Sequence, residues 1–457
     1  MQRRDFLVTS GLVSLGFLGL QRCTMGGSQF AEETGYGSLL PDPEGILNLP
    51  KGFSYKIISK KGTPMSDGFF VPGAADGMAT FSIDNKVVII RNHELSPGDL
   101  EDGPFGMDEK NLPTGAMREL VYDFGSGKNV GVGGTTTIIF DEKTQTIEKE
   151  YLSLVGTVRN CAGGPTPWNS WISCEESTLK ADGTLEKDHG YNFEVKATTQ
   201  SGVQAPVPLK AMGRFNHEAV AVDPKTGIVY LTEDAGDGLI YRFIPEQYGD
   251  LTRGKLQAMK LKDKSSFDSR NWQEESKDVM PLNEKLDVEW MDLDNIQSPE
   301  NDLRLRGYES GAIRFARGEG MWNGEGEIYF ACTNGGQKKN GQIFRYVPSP
   351  EEGTANEASS PAKLELFVES QDAQMLEHAD NLTYSPWGDL IVCEDKREPK
   401  LVGVTPNGEL YHFAENVGFK SEFAGACFSP SGETLFVNIQ GPGLTLAIQG
   451  PWKKLKA

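Results

Sequence analysis

Six segments of the chain follow one loose pattern, a polar turn and then an apolar strand ending in polar or acidic residues. They are "SIDNKVVIIRNHE" (82–94), "TPWNSWISCEES" (166–177), "VDPKTGIVYLTED" (222–234), "MWNGEGEIYFACTNGG" (321–336), "YSPWGDLIVCED" (384–395) and "FSPSGETLFVNIQ" (428–440). Alternating apolar positions, β-branched residues and Asp/Asn-Gly turns identify strands rather than helices. Further strands follow some units, as in the similar "GLIYRFIP" (238–245) and "GQIFRYVP" (341–348). Irregularly spaced units of like pattern predict an all-β chain, a β-propeller of six blades over residues 40–457 as one domain, with rim insertions. A pair of β-sandwiches would not explain why the same strand end is acidic again and again. In a propeller those ends converge on the central channel, which concentrates ligands in one place. Residues 95–130, rich in Gly and Pro, and 250–306, charged and poor in strand signals, read as insertions. Within the second, "SPENDLRLR" has the caps and spacing of a short helix.

The first 22 residues read as an export signal of twin-arginine type: Arg3-Arg4 precedes an apolar run from Val8 to Leu20 that is too short and Gly-rich for a membrane span. Such export implies a periplasmic or secreted protein and favours a cofactor loaded before translocation. Cys23 is a candidate lipid anchor, although the Gln and Arg before it are not the small residues such a signal uses. Removing the signal takes the formal charge from −20 to −22, because three arginines and one aspartate leave with it. So acidic a chain argues against nucleic acid as a partner and favours bound cations. Nothing in the sequence demands an oligomer, and a monomer is expected. Five cysteines remain besides Cys23, with no framework spacing, and most read as small buried strand residues. Cys161 differs, because "AGG" follows it where an apolar strand would otherwise run.

Three histidines precede an acid: His93-Glu94, His217-Glu218 and His378-Ala379-Asp380. Neighbouring side chains on a regular strand face opposite ways. The carboxylates Glu94 and Glu218 are therefore the expected ligands, with the histidines behind them, at equivalent positions in their units. In "FARGEGMW", Arg317 and Glu319 share a face if extended, which suits an acid on a metal beside a guanidinium on a phosphate or carboxylate. The acid pairs Glu175-Glu176, Glu233-Asp234 and Glu394-Asp395 end predicted strands. Singly they read as solvated ends; as a ring they would repel one another unless cations sat among them. In "RNCAGGPTPWNSWISCEES" (159–177), Cys161 is the expected thiolate ligand, Gly163 and Gly164 let the backbone turn near a metal, and Glu175 returns on the next strand. A thiolate among carboxylates suits a transition metal such as iron, and surplus carboxylates suit calcium.

These segments, with "RNHE", "GRFNHEAVAVDP", "HADNLTYSPWGDLIVCED" and "EFAGACFSPSGETLFVNIQGPG", resemble the PhoX family of secreted alkaline phosphatases, its shorter members especially, from about residue 40 to the C-terminus. The resemblance implies a propeller holding iron and calcium that hydrolyses phosphomonoesters by a metal-activated oxygen nucleophile. It places Glu94, Cys161, Glu218, Glu319 and Asp380 among the metal ligands and Arg317 on the phosphate. Glu175, Glu233, Asp234, Glu394 and Glu422 are carried over toward calcium. The chain has "RGEG" where the long members are expected to have Arg-Pro-Glu. The rival readings are a phosphodiesterase on the same metals, a calcium-dependent propeller phytase or lactonase, and a non-catalytic calcium-stabilised binding protein.

Overall fold

A computed structural model describes residues 34–106, 111–127 and 129–453; the expected export signal and Cys23 lie outside them. The described chain is all-β and propeller-like. One four-stranded sheet comprises Ala75–Ile83, Lys86–His93, Gly133–Asp141 and Thr146–Thr157, and a three-stranded one Asn160–Pro165, Ser170–Glu175 and Asn192–Lys196. A nine-stranded sheet begins at His217–Val222 and ends at Gly318–Gly324. A six-stranded sheet begins at Ala379–Tyr384, and a further four-stranded one at Phe423–Phe428. The strands Ala75–Ile83, Asn160–Pro165, His217–Val222, Gly318–Gly324, Ala379–Tyr384 and Phe423–Phe428 each pack on the next, and the last packs on the first, so they close a ring. The strand Ser54–Lys60 pairs with Leu444–Gln449, so an early strand completes the sheet that holds the last described one.

Neighbouring sheets cover both faces of the inner strands and of the second strands beside them, which is why strands such as His217–Val222, Val229–Glu233 and Leu390–Glu394 are buried along their whole length. Between the first two sheets, Phe81, Val88, Ile90 and Ile139 meet Trp171, Phe193 and Val195. Each such side chain contributes about 1.5–3 kcal/mol on burial.

The stretch 250–306 departs from its reading as strand-poor. It carries the strands Gly254–Leu261 and Lys285–Asp292, and the second of these also pairs with Ala362–Glu369, which zips two units into the nine-stranded sheet. Charge hid them: their exposed faces carry the ion pairs Lys255–Asp292 and Lys260–Glu289. The expected short helix is present as Leu303–Glu309, and Ser298 Oγ accepts from the N–H groups of Asp302 and Leu303 at its start. The Gly- and Pro-rich stretch after residue 95 packs Leu95, Phe105, Val121 and Val130 into a satellite core. Among the described residues no helix is long and apolar enough to cross a membrane.

Candidate metal channel

One local device recurs around the ring. In each inner strand, two residues face one on the second strand, between Ala75 and Met78, Asn160 and Gly163, His217 and Val220, Gly318 and Met321, Ala379 and Leu382, and Ala424 and Cys427. A bulge of this kind re-aims a side chain. Asp76, Cys161, Glu218, Glu319 and Asp380 stand at these slips and line the channel, and the sixth slip holds Gly425 instead. The residue after each is small or compact: Gly77, Ala162, Ala219, Gly320, Asn381 and Ala426 close the floor. The fit is tight, since a Cβ on Gly77 would stand 2.6 Å from Ala162 Cα and one on Gly320 2.6 Å from Asn381 Cα.

A second tier stands just past the end of each second strand. The N–H groups of Glu94, Glu176, Asp234, Thr333, Asp395 and Gln440 donate to the carbonyls of Ala74, Arg159, Asn216, Arg317, His378 and Glu422, at 2.9, 2.9, 3.1, 3.1, 2.9 and 3.3 Å. Five of these donors, with Arg159, Arg317 and Glu422 from the accepting residues, complete the channel wall. The cavity offers about 210 Å³ to water-sized groups.

Nine carboxylates thus face one another with two guanidiniums: Asp76, Glu94, Glu176, Glu218, Asp234, Glu319, Asp380, Asp395 and Glu422 against Arg159 and Arg317. Asp234 grips Arg317 bidentately, its two oxygens accepting from Nε and Nη2 at 2.8 Å each, and Glu319 accepts from Nη2 at 2.7 Å. Arg159 Nη2 lies 2.6 Å from Glu94 and also pairs with Glu176. Burial, then the neighbouring Glu176 and Asp380, pushes Glu218 well above the usual carboxylate range. Burial, then Asp234, does the same to Glu319. Burial and Asp395 push Asp380 up to about 7, and burial with Asp234 and Glu94, against the pull of Arg159, pushes Glu176 up to about 8. Burial, then Glu218, raises the Cys161 thiol. Without a cation, burial therefore disfavours the ionised forms of Glu218, Glu319, Asp380 and Glu176, and a bound cation would favour them.

Two groups have the donor spacing that fits a metal ion. Ligand atoms of Cys161, Glu176 and Glu218 lie within 4.8 Å of one another, and so do those of Glu218, Glu319 and Asp380. Glu218 belongs to both, which suits two neighbouring ions.

The structure brings Glu94, Cys161, Glu218, Asp234, Arg317, Glu319, Asp380 and Glu422 together in this channel. It does not bring Glu175, Glu233 or Glu394 there. Glu175 accepts from the N–H groups of Val158, Gly190 and Tyr191 and pairs with His189 at 2.7 Å. Glu233 accepts from Leu239 N–H and the Tyr241 hydroxyl, and Glu394 from Glu377 and Lys400 N–H. In each acid pair the first residue pins nearby backbone, and the second enters the channel. Two further readings are corrected. His93-Glu94 closes a second strand whereas His217-Glu218 opens a first strand, so the pairs are not equivalent. Gly163 and Gly164 make room for neighbouring backbone, because a Cβ there would stand 1.9 Å from Ile172 O and 2.0 Å from Val220 O.

The histidines bond elsewhere: His93 bonds Gly73 O and Thr136 Oγ1, and His217 stacks on Phe215 and bonds Gly213 O. All five cysteines among the described residues are free and buried. Sequence reasoning missed Asp76, Arg159, Glu176, Asp395 and Gln440 as channel residues. The parallel between "DGM" (76–78) and "EGM" (319–321) was the available signal for Asp76.

The family model described as alkaline phosphatase PhoX matches residues 34–443. No curated protein matches the chain. Among solved structures, a candidate gluconolactonase is similar at 10% identity and TM-score 0.43, over 92% of this chain and 99% of that one. A gluconolactonase from Xanthomonas campestris is similar at 11% identity and TM-score 0.37, over 91% and 98%. A Trichoderma reesei enzyme of Carbohydrate-Active Enzymes Family AA12 is similar at 10% identity and TM-score 0.34, over 91% and 100%. Likeness at this level carries no function to the chain.

Proposed function

The chain belongs to the PhoX alkaline phosphatase family, and from that membership and its acidic channel we propose that it is an exported, metal-dependent phosphomonoesterase on a six-bladed propeller. Six recurrences of the bulge and of the backbone bond above it support the blade number. The observation that carries the function is the pair of donor groups sharing Glu218, beside two guanidiniums in an otherwise anionic channel.

Cys161, Glu176, Glu218, Glu319 and Asp380 would hold the ions nearest the chemistry, with iron suited to the group that includes the thiolate. Asp76, Glu94, Asp395 and Glu422 are an all-oxygen set suited to calcium. When bound, such ions supply Lewis acidity that neutralises phosphoryl charge and acidifies water. Arg317 is held in a fixed orientation by Asp234 and keeps its positive charge at any working pH. It binds the phosphoryl oxygens and fixes the ester in the channel, where charge builds up as the leaving alkoxide departs. The half-exposed guanidinium marks the open side, from which a small phosphomonoester enters.

The test is elemental analysis of the folded protein together with phosphate release from an aryl phosphomonoester, for wild type and Cys161→Ala. Iron and calcium in the wild type, with activity lost in the variant, is the expected result. Full activity without the thiolate would sink the mixed-metal reading and favour a calcium propeller of another class.

A further inference from the structure

Arg159 occupies in its unit the place that Arg317 occupies in its own. Each gives its carbonyl to the N–H of the residue closing the second strand, Glu176 for Arg159 and Thr333 for Arg317. Each stands two residues before a channel donor, Cys161 and Glu319 respectively. Both have left-handed backbone, φ 48° and 54°, as do Ala74 and His378 at the same place in their units, φ 44° and 55°. Of these four residues, the two arginines line the cavity.

The two guanidiniums also resemble each other in what they leave unspent. Arg159 donates through Nε to Glu176 O and through Nη2 to the Glu176 carboxylate and forms an ion pair with Glu94, while Arg317 donates through Nε and Nη2 to Asp234 and Glu319. Among the described residues, Nη1 of neither makes a hydrogen bond. The side chains are 40% and 34% exposed, well above the buried Glu218 and Glu319. Glu176 and Asp234, which hold the two guanidiniums, are close enough for Asp234 to raise the Glu176 carboxyl.

We propose that Arg159 is a second phosphate-binding residue, forming with Arg317 a two-guanidinium clamp that favours a dianionic monoester over a monoanionic diester. The proposal rests on the phosphatase reading. Two cations facing one phosphoryl group offset the repulsion of the surrounding carboxylates, and the second is worth more to a group carrying two charges than to one carrying one.

The test uses the metal-loaded full-length protein, wild type, Arg159→Lys and Arg159→Gln. Inorganic phosphate binding is measured by titration calorimetry, kcat and KM on an aryl phosphomonoester and a bis-aryl diester, and metal content by elemental analysis. For Arg159→Gln, phosphate Kd and monoester KM rise on the order of tenfold or more, the monoester suffers more than the diester, and metal content is unchanged. Arg159→Lys, which keeps the charge, recovers part of the phosphate affinity. Phosphate affinity unchanged in both variants would overturn the clamp, as would a loss that tracks loss of metal. A wild type that neither binds phosphate nor cleaves the monoester would overturn the phosphatase reading, and the clamp with it.

Discussion

The adjacent acids Glu175 and Glu176 show how one residue's offset divides structure from chemistry. Glu175 is buried and satisfies three backbone N–H groups and His189. Removing a buried partner of this kind costs about 3–5 kcal/mol. Glu175→Ala is thus expected to lower the thermal midpoint sharply, while Glu176→Gln leaves the midpoint of the metal-free protein nearly unchanged and reduces its metal content. Melting curves and elemental analysis of both variants check this. Arg317 gives a second contrast. Replacement by Lys keeps the charge but loses the two-pronged grip of Asp234. Steady-state kinetics of Arg317→Lys should show kcat/KM for the monoester reduced about 10²-fold or more.

At the scale of the element, the inner-strand bulge is the unit of construction, and it needs both a donor and a small neighbour. Gly320→Ala forces a methyl group against Asn381 backbone, and overpacking of this kind costs about 1–3 kcal/mol. A lower denaturation midpoint with weaker metal retention is the expected outcome. The loop after Ser170–Glu175 adds a pH-dependent strut, His189 between Glu175 and Asp123. Burial alone would lower its imidazole, but Glu175 and Asp123 outweigh that and raise it to about 9. A histidine raised in the fold contributes its full stability below its unfolded value near 6.5 and loses it as pH climbs through 9. The shift corresponds to about 3 kcal/mol. Wild-type melting should fall across this window, and His189→Gln should flatten that part of the profile.

The same element explains what the sequence could reveal. Alternation, turns and acid pairs made the strands and their acidic ends legible, because they are local properties. The choice of Glu175 and Glu394 over Glu176 and Asp395 went wrong because the residue that enters the channel lies just beyond the strand, where period-two reasoning no longer applies. Arg159 was passed over for a like reason: its role depends on a left-handed backbone and a carbonyl partner 17 residues on, neither of which composition announces.

At the scale of the molecule, the ring gathers charge that an unliganded protein cannot hold cheaply. Nine carboxyl groups around two guanidiniums can ionise together without penalty only when cations stand among them. Ligands at about a thousandfold their Kd stabilise a fold by about 4 kcal/mol each. Chelation is therefore expected to lower the melting midpoint by roughly 10 °C or more, a shift that scanning calorimetry would record.

Under the proposed function, this channel hydrolyses phosphomonoesters only with metal in it. The most direct measurement is phosphate release from an aryl phosphomonoester before chelation, after it, and after iron and calcium are returned, with metal content followed throughout. Activity that disappears with the metals and returns with them is the predicted result. Undiminished phosphate release from protein shown to be metal-free would contradict it.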